Sequence, residues 1–376
     1  MRPAARLTGL LALCQLLAGC GSTGYYWQAL GGHLDLMRQR RPIDAVVADA
    51  ATPADLRAIL RQVQDMRRFA VDALALPDNG SYRSYVALDR PYVIWNVFAA
   101  PPLSTTPREW CFPIAGCVAY RGYFRRADAD ALAARLREDG DDSYVGGVPA
   151  YSTLGWMDDP VLSTYVRWPQ PELARLLFHE LSHQVAYAAG DTAFNEAFAT
   201  AVEEEGVARW IAAQGRIDLQ DRWQQSQQRR AGFLQLVLGV QQDLTALYAS
   251  AASDADKRAG KLERLARMRQ DYQARKAEWG GFAGYDHWFD EGVNNAQLAS
   301  VAVYTALVPA FRVLLHEQDG DLPRFYAQVR RLAAASADAR HAALQAALSR
   351  QPASAPAPGP TAASAAATPP AAAPAH

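Results

Sequence analysis

The sequence predicts a mainly helical α+β protein, with a small β-containing part in its N-terminal half and a long helical hairpin further on. Three observations carry this. From residue 171 onward, apolar side chains recur at helical spacing almost without a break. Between about residues 80 and 168, short runs rich in β-branched and aromatic residues alternate with Gly, Pro and Asn. Half of the 376 residues are hydrophobic, enough for a sizeable core. The net charge of -1 and pI near 6.7 leave no basic footprint for nucleic acid and no strong acidic field. The domain reading is a signal peptide over 1–19, one domain over 20–350 and a tail over 351–376.

The chain opens with MRPAAR, which carries two arginines, and then runs apolar through LTGLLALCQLLAG to Cys20. That is a charged n-region and an apolar h-region, too short to span a bilayer as a mature helix. Its end, Leu17-Ala18-Gly19-Cys20, resembles the bacterial lipoprotein signal. The resemblance implies that Cys20 is acylated and becomes the new N-terminus. With Gly21 in place of an aspartate, it further implies an outer-membrane lipoprotein facing the periplasm. The alternative is an ordinary secretory signal with a chance cysteine. Of four cysteines, Cys14 leaves with the signal and Cys20 takes lipid, so Cys111 and Cys117 remain. Their spacing in WCFPIAGCVAY is not a usual zinc spacing, and Pro113 and Gly116 suit a turn. In an oxidising compartment a disulfide is expected, against two buried thiols.

The elements follow in order. Residues 50–75 place Leu56, Leu60, Val63, Met66 and Ala70 on one helix face, with Thr52 as N-cap and Pro53 opening the helix. LPDNGSY is a turn. PYVIWNVFAA (91–100), VAYRGYF and SYVGGVPAYSTLGW are strand-forming, with glycines at bulges or bends. PELARLLFHELSHQVAYAAG (171–190) reads as one helix from Pro171 to Gly190, and NEAFATAVEEEGVARWIAAQG as the next. Two long helices over 217–279, broken near Ser253 and Asp254, form an antiparallel hairpin, read as a solvated scaffold arm. NNAQLASVAVYTALVPAFRVLLHE gives one helix and DLPRFYAQVRRLAAA the last. Residues 351–376 are Pro/Ala-rich low complexity, read as a tail without catalytic content.

Chemistry concentrates at residues 179–196. His179 and His183 stand at i and i+4, so both imidazoles project from one helix face. Two imidazoles placed this way can bind one Zn²⁺, and Glu180 sits beside them where a general base takes a proton from water. Thirteen residues past His183, Glu196 lies in the first turn of the next helix. A short connection makes these helices antiparallel neighbours and returns Glu196 as a third ligand. Two His, one Glu and an open position form a catalytic zinc site, one ion per chain. The bland alternative is a metal-free helix whose histidines bond backbone or carboxylates.

HELSHQ…NEAFATAVEE resembles the gluzincin metallopeptidases, and most of all their membrane-alanyl-aminopeptidase branch, in which HELxHQ precedes NEGFAxxxE. The resemblance implies a zincin-like metallopeptidase domain, with His179, His183 and Glu196 as zinc ligands and Glu180 as base. Asn195 matches the residue before the third ligand, and Glu203 the acid behind the site. The interval before the third ligand is shorter here, and the amine-binding GxMEN segment is absent. GYYWQALGGHLDLM, LPDNGSYRSYV, WNVFAAP, CFPIAGCVAYRGYF, VPAYSTLGWMDDP and NNAQLASV extend a closer resemblance over nearly the whole mature chain. It is to the bacterial lipoproteins termed predicted aminopeptidases.

The resemblance implies a zinc aminopeptidase acting on peptides in the periplasm, held to the membrane through Cys20, with no nucleic-acid partner. Spacing and chemistry alone support a zinc hydrolase; an endopeptidase, another amide hydrolase or a non-catalytic lipoprotein with structural zinc remain open. VPAYSTLGW is a strand that would line the cleft. A substrate ammonium group needs an acid, for which Asp158, Asp159, Asp286, Asp290 and Glu291 are available. His287, in GYDHWFDEGVNN, is a candidate substrate-site residue. Tyr304 is a candidate oxyanion donor, although it shares an apolar stripe with Val301, Val308 and Phe311 that equally suits a core tyrosine.

Overall fold

The computed structural model describes residues 20–350 apart from 113–115, 151–152, 154–156, 291 and 303–306. The signal-peptide and tail expectations therefore lie outside the described residues, as do Tyr304, Glu291 and most of the expected VPAYSTLGW strand.

Helix α1 (Cys20–Arg38) leads into β1 (Arg41–Pro42), the short α2 (Ile43–Ala48) and α3 (Ala54–Asp72). The apolar stripe of α3 turns inward as its spacing requires, burying Leu60, Val63, Met66 and Ala70. Its start corrects the expectation by one residue. Pro53 is the N-cap and Thr52 lies outside, with no side chain capping the helix. The strands then follow: β2 (Ser84–Val86), β3 (Ile94–Ala100), β4 (Trp110–Phe112), β5 (Gly116–Val118), β6 (Arg121–Tyr123), β7 (Asp142–Val148) and β8 (Val161–Leu162). β3 is the centre of an antiparallel sheet in the order β6-β3-β7, in register at Asn96 with Gly122 and Val97 with Val145. A second sheet, β1-β2-β8, pairs β2 parallel to β8. β4 and β5 form a hairpin that sets Cys111 opposite Cys117, and the two are disulfide-bonded as expected.

One helix inside this β-containing part escapes sequence reading: α4 (Arg126–Glu138). Its buried stripe is only Ala129, Leu132 and Ala133, packed on Trp95, Val97 and Tyr123 of the sheet. Two alanines and one leucine among charges give a weak periodic signal.

The helical half comprises α5 (Gln170–Ser182), α6 (Thr192–Gln214), α7 (Ile217–Ala249), α8 (Asp254–Glu278), α9 (Asp286–Asp290), α10 (Asn295–Ala302), α11 (Val308–His316), α12 (Leu322–Ala334) and α13 (Ala337–Ser349). Three expectations are corrected. First, α5 stops at Ser182 with His183 as its C-cap and does not run to Gly190. The backbone tightens there through i→i+3 bonds, Gln184 to Leu181 and Val185 to Ser182. Side chains hold the following turn in place of helical bonds, as described below. Second, the segment 294–317 is two helices. Pro309 lies in the first turn of α11, where its missing N–H costs nothing; further inside a helix it would break the ladder. Third, α12 is not the last helix, because Ser336 caps α13, accepting from the Ala339 N–H at 3.3 Å.

The main core lies between α3, α5, α6, α11 and α12, around Met66, Phe178, Phe198, Phe311 and Phe325. The hairpin α7–α8 has a smaller core of its own: Phe233, Val237, Leu244, Met268 and Tyr272, closed by Phe289 and Leu298. It is more than a solvated arm. Lys261 bonds the Pro102 carbonyl and Asp142, and Thr245 meets Thr105 at 2.7 Å.

Candidate metal centre

The site forms where α5 and α6 pack antiparallel. His179 is in the last turn of α5 and His183 caps it, so the i, i+4 spacing survives the early end of the helix. Glu196 and Glu203 lie two turns apart on α6 and face them. Nε2 of His179 is 3.2 Å from Glu196 Oε2 and 3.3 Å from His183 Nε2, which in turn is 3.9 Å from Glu196 Oε1. One ligand atom from each of the three lies within 4.8 Å of the others. Atoms each about 2.0–2.1 Å from a tetrahedral ion are about 3.3 Å apart, so the donor set fits a zinc-sized cation with little rearrangement.

The orientation of the set is built in. Nδ1 of His179 bonds Glu203 Oε2 at 2.8 Å, which turns Nε2 toward the centre. Glu203 is fully buried and also accepts from Arg175 at 3.2 Å and Arg230 at 2.8 Å. Arg175 is held in turn by Glu172 at 2.8 Å. Burial alone would raise the Glu203 carboxyl; the two guanidinium groups instead hold it far below the usual carboxylate range. It stays an anion that can only accept. Burial pushes His183 down to about 4, which keeps it a neutral imidazole, the form that ligates a metal. Burial would also lower His179, but hydrogen bonds to Glu196 and Glu203 hold it up at about 10. The Glu180 carboxyl is pushed up to about 7 by burial, against the pull of His179 and with the charges of Glu196 and Asp159 adding.

Asn195 is buried and takes no part in the donor set. Its side chain accepts from the Ala188 N–H at 2.8 Å and donates to the Ala188 carbonyl at 2.9 Å, closing the turn between the two ligand helices. Asp191 caps α6 at the Phe194 N–H and is gripped by Arg340 at 2.8 Å. Gln184 donates to Ser81 Oγ at 3.2 Å and accepts from Asn79 at 2.6 Å, tying that turn to the loop after α3. The same loop is held from below by Arg67, which bonds the carbonyls of Ser81 and Pro77. It presents Tyr82 in a left-handed conformation (φ 62°), with its hydroxyl buried and bonded to no protein group.

The structure does not bring every candidate to the site. The His287 side chain is 75% exposed, with Asp290 at 4.0 Å. Asp286 pairs with Lys276 and Tyr272, and Asp158 is exposed. Of the four described acids considered for a substrate amine, Asp159 is the one whose charge bears on Glu180; it is buried and accepts from the Thr153 N–H at 2.9 Å. Sequence reading missed Arg175 and Arg230. Arg175 stands one turn before His179, a legible position. Arg230 sits 27 residues past Glu203 on another helix, and nothing in the sequence marks it.

Helices α5 and α6 thus define a candidate mononuclear metal site of the two-histidine, one-glutamate class, with an acid adjacent to the first histidine and a buried, arginine-held carboxylate behind it. The chain belongs to the family described as "putative aminopeptidase", which matches residues 24–344. No curated protein and no solved structure matches the chain.

Proposed function

We propose that this protein is a zinc-dependent peptidase of zincin type, acting as an aminopeptidase on peptides outside the cytoplasm. One observation carries the reading: Nε2 of both histidines and a Glu196 oxygen converge on one point, while Glu180 stands beside them bonded to none of the three. The family's description supports the aminopeptidase part. His179, His183 and Glu196 would hold the ion, which when bound supplies a Lewis acid and lowers the pKa of water. The rest is the work of the chain. Glu180, half-buried beside the donor set, accepts the proton of the attacking water and returns it to the leaving amine. Glu203 and its arginines hold His179 in the orientation that turns Nε2 toward Glu196 and His183. Asp159 supplies the negative charge that an N-terminal ammonium group requires.

The test separates base from ligand. Glu180→Gln should reduce peptide turnover by at least about a thousandfold while zinc, measured by elemental analysis, stays at one per chain. Glu196→Ala should lose both. Wild-type turnover in the glutamine variant would end the mechanism, and an unchanged zinc content in the alanine variant would remove Glu196 from the ligand set. The exopeptidase part has its own experiment, which pairs one peptide with its N-acetylated form. The wild type should strongly prefer the free amine, and Asp159→Asn should erase most of that preference through KM. An unchanged preference would leave Asp159 as a brace for Thr153.

A further inference from the structure

Helix α1 has two faces. Tyr25, Gln28, Gly32 and Leu36 dock it to the rest of the protein. The Tyr25 ring stacks on Phe112 at 5.4 Å under the Arg121 guanidinium, and Gln28 bonds both the Gly122 carbonyl and the Phe124 N–H. A side chain at Gly32 would meet Phe124 at 2.2 Å, so only glycine lets the helix lie this close. Leu36 is buried. At 100° per residue, the opposite sector carries Tyr26, Trp27, Leu30 and Leu34, with exposures of 45, 73, 49 and 40%. These are four of the seven large hydrophobic residues exposed among the described residues, gathered on one helix. No charge lies within the sector, and Arg38 borders it.

We infer that this stripe is a membrane-contact surface, on which α1 lies along the lipid headgroup region and fixes the attitude of the whole protein. Three observations select a bilayer as the occupant. The helix begins at Cys20, the residue expected to carry lipid, and Tyr26 follows within about 9 Å of helix. Tyr and Trp set among leucines, with an arginine at the margin, are the side chains that suit an interface between headgroups and acyl chains. The four exposed side chains run along one side of α1 from Tyr26 to Leu34, so the contact is lateral. Because Gln28 and Gly32 lock α1 to β6 and the chain after it, a helix flat on the lipid holds the body at a fixed orientation. Acyl chains alone would leave it free to swing. The inference rests on the exported-lipoprotein reading and is independent of the peptidase reading.

The test uses the mature full-length protein reconstituted into phosphatidylethanolamine–phosphatidylglycerol vesicles with brominated acyl chains. Bromine quenches only tryptophans that reach the lipid. Wild-type protein should show a quenchable component that Trp27→Phe removes. The double variant Leu30→Asp/Leu34→Asp should lose at least half of that component while remaining vesicle-bound. Equal quenching of wild type and Trp27→Phe, or full quenching in the double variant, would overturn the inference. So would Leu30→Cys chains that join as disulfide-linked dimers with Trp27 unquenched, since a second copy would then cover the stripe. The mass of the N-terminal peptide, read separately, reports acylation of Cys20, so failure of the anchor and failure of the stripe are told apart.

Discussion

Glu203 shows how much of the centre is decided behind the ligands. It is fully buried, yet it bonds one histidine and two arginines, so its charge is balanced without solvent. Removing Glu203 strips His179 and Arg230 of a buried partner and leaves Arg175 only Glu172, a loss below the about 3–5 kcal/mol seen for fully buried pairs because both arginines are partly exposed. Glu203→Ala should therefore unfold at markedly lower temperature. Glu203→Gln is more informative: it keeps a carbonyl oxygen as acceptor for His179 Nδ1 and loses the charge. We expect it to fold and to bind zinc about 10- to 100-fold more weakly, as for loss of a partner behind a metal-ligating histidine. A competitive chelator titration reads this, and unchanged affinity would show that Glu203 serves the arginines alone.

At the scale of elements, the disulfide hairpin and the ligand turn support each other. Gly116 follows the tip of the β4–β5 hairpin at φ 74°, and a methyl group there would come within 2.7 Å of the Gly190 backbone. Gly190, at φ 78°, closes the turn that joins α5 to α6. The Cys111–Cys117 bond thus stabilises a hairpin pressed against the turn that sets the spacing of His183 and Glu196. Gly116→Ala carries both backbone strain and a collision with backbone, which cannot rotate away. Gly140→Ala carries strain alone, because its φ is 89° and nothing lies within 4 Å. The second should cost about 1–2 kcal/mol. The first should cost more and also weaken zinc binding, which Gly140→Ala should leave alone. Equal effects on stability and zinc binding would separate the hairpin from the site.

At the scale of the molecule, the helices of the candidate metal centre occupy the middle of the chain and depend on both ends. Arg340 from α13 grips Asp191 at the start of α6, and the loop after α3 holds Gln184. The hairpin α7–α8 reaches in with Arg230. The membrane attachment we propose belongs to the N-terminus. Cys20→Ser should leave an unprocessed precursor or release the protein from the membrane fraction. A processed Cys20→Ser protein still found with the outer membrane would end the lipoprotein reading. Stability and attachment are separable, because Cys20 lies at the outer end of α1, before Tyr25 and the other docking residues.

The sequence by itself determined the mainly helical class, the long hairpin, the paired cysteines and the convergence of His179, His183 and Glu196. These features are local or periodic. An i, i+4 pair of histidines on an apolar helix faces one way wherever the helix packs, and a short connection returns the next helix beside it. Glu203 was reachable only through likeness to a family, because spacing says that it shares the face of Glu196 but not that His179 meets it. Tertiary structure alone decided the rest. Arg230 reaches the site from a helix far along the chain, Asp159 was one of five equivalent acids until folding buried it where its charge bears on Glu180, and Tyr82 depends on a left-handed backbone. The end of α5 at His183 was equally hidden. Helical periodicity continues through Val185, but the bond that Asn195 accepts from Ala188 and the bond that Gln184 donates to the distant Ser81 outweigh the remaining turn. Side chains that compete for backbone and loop partners act across the fold, and one-dimensional spacing holds no record of them.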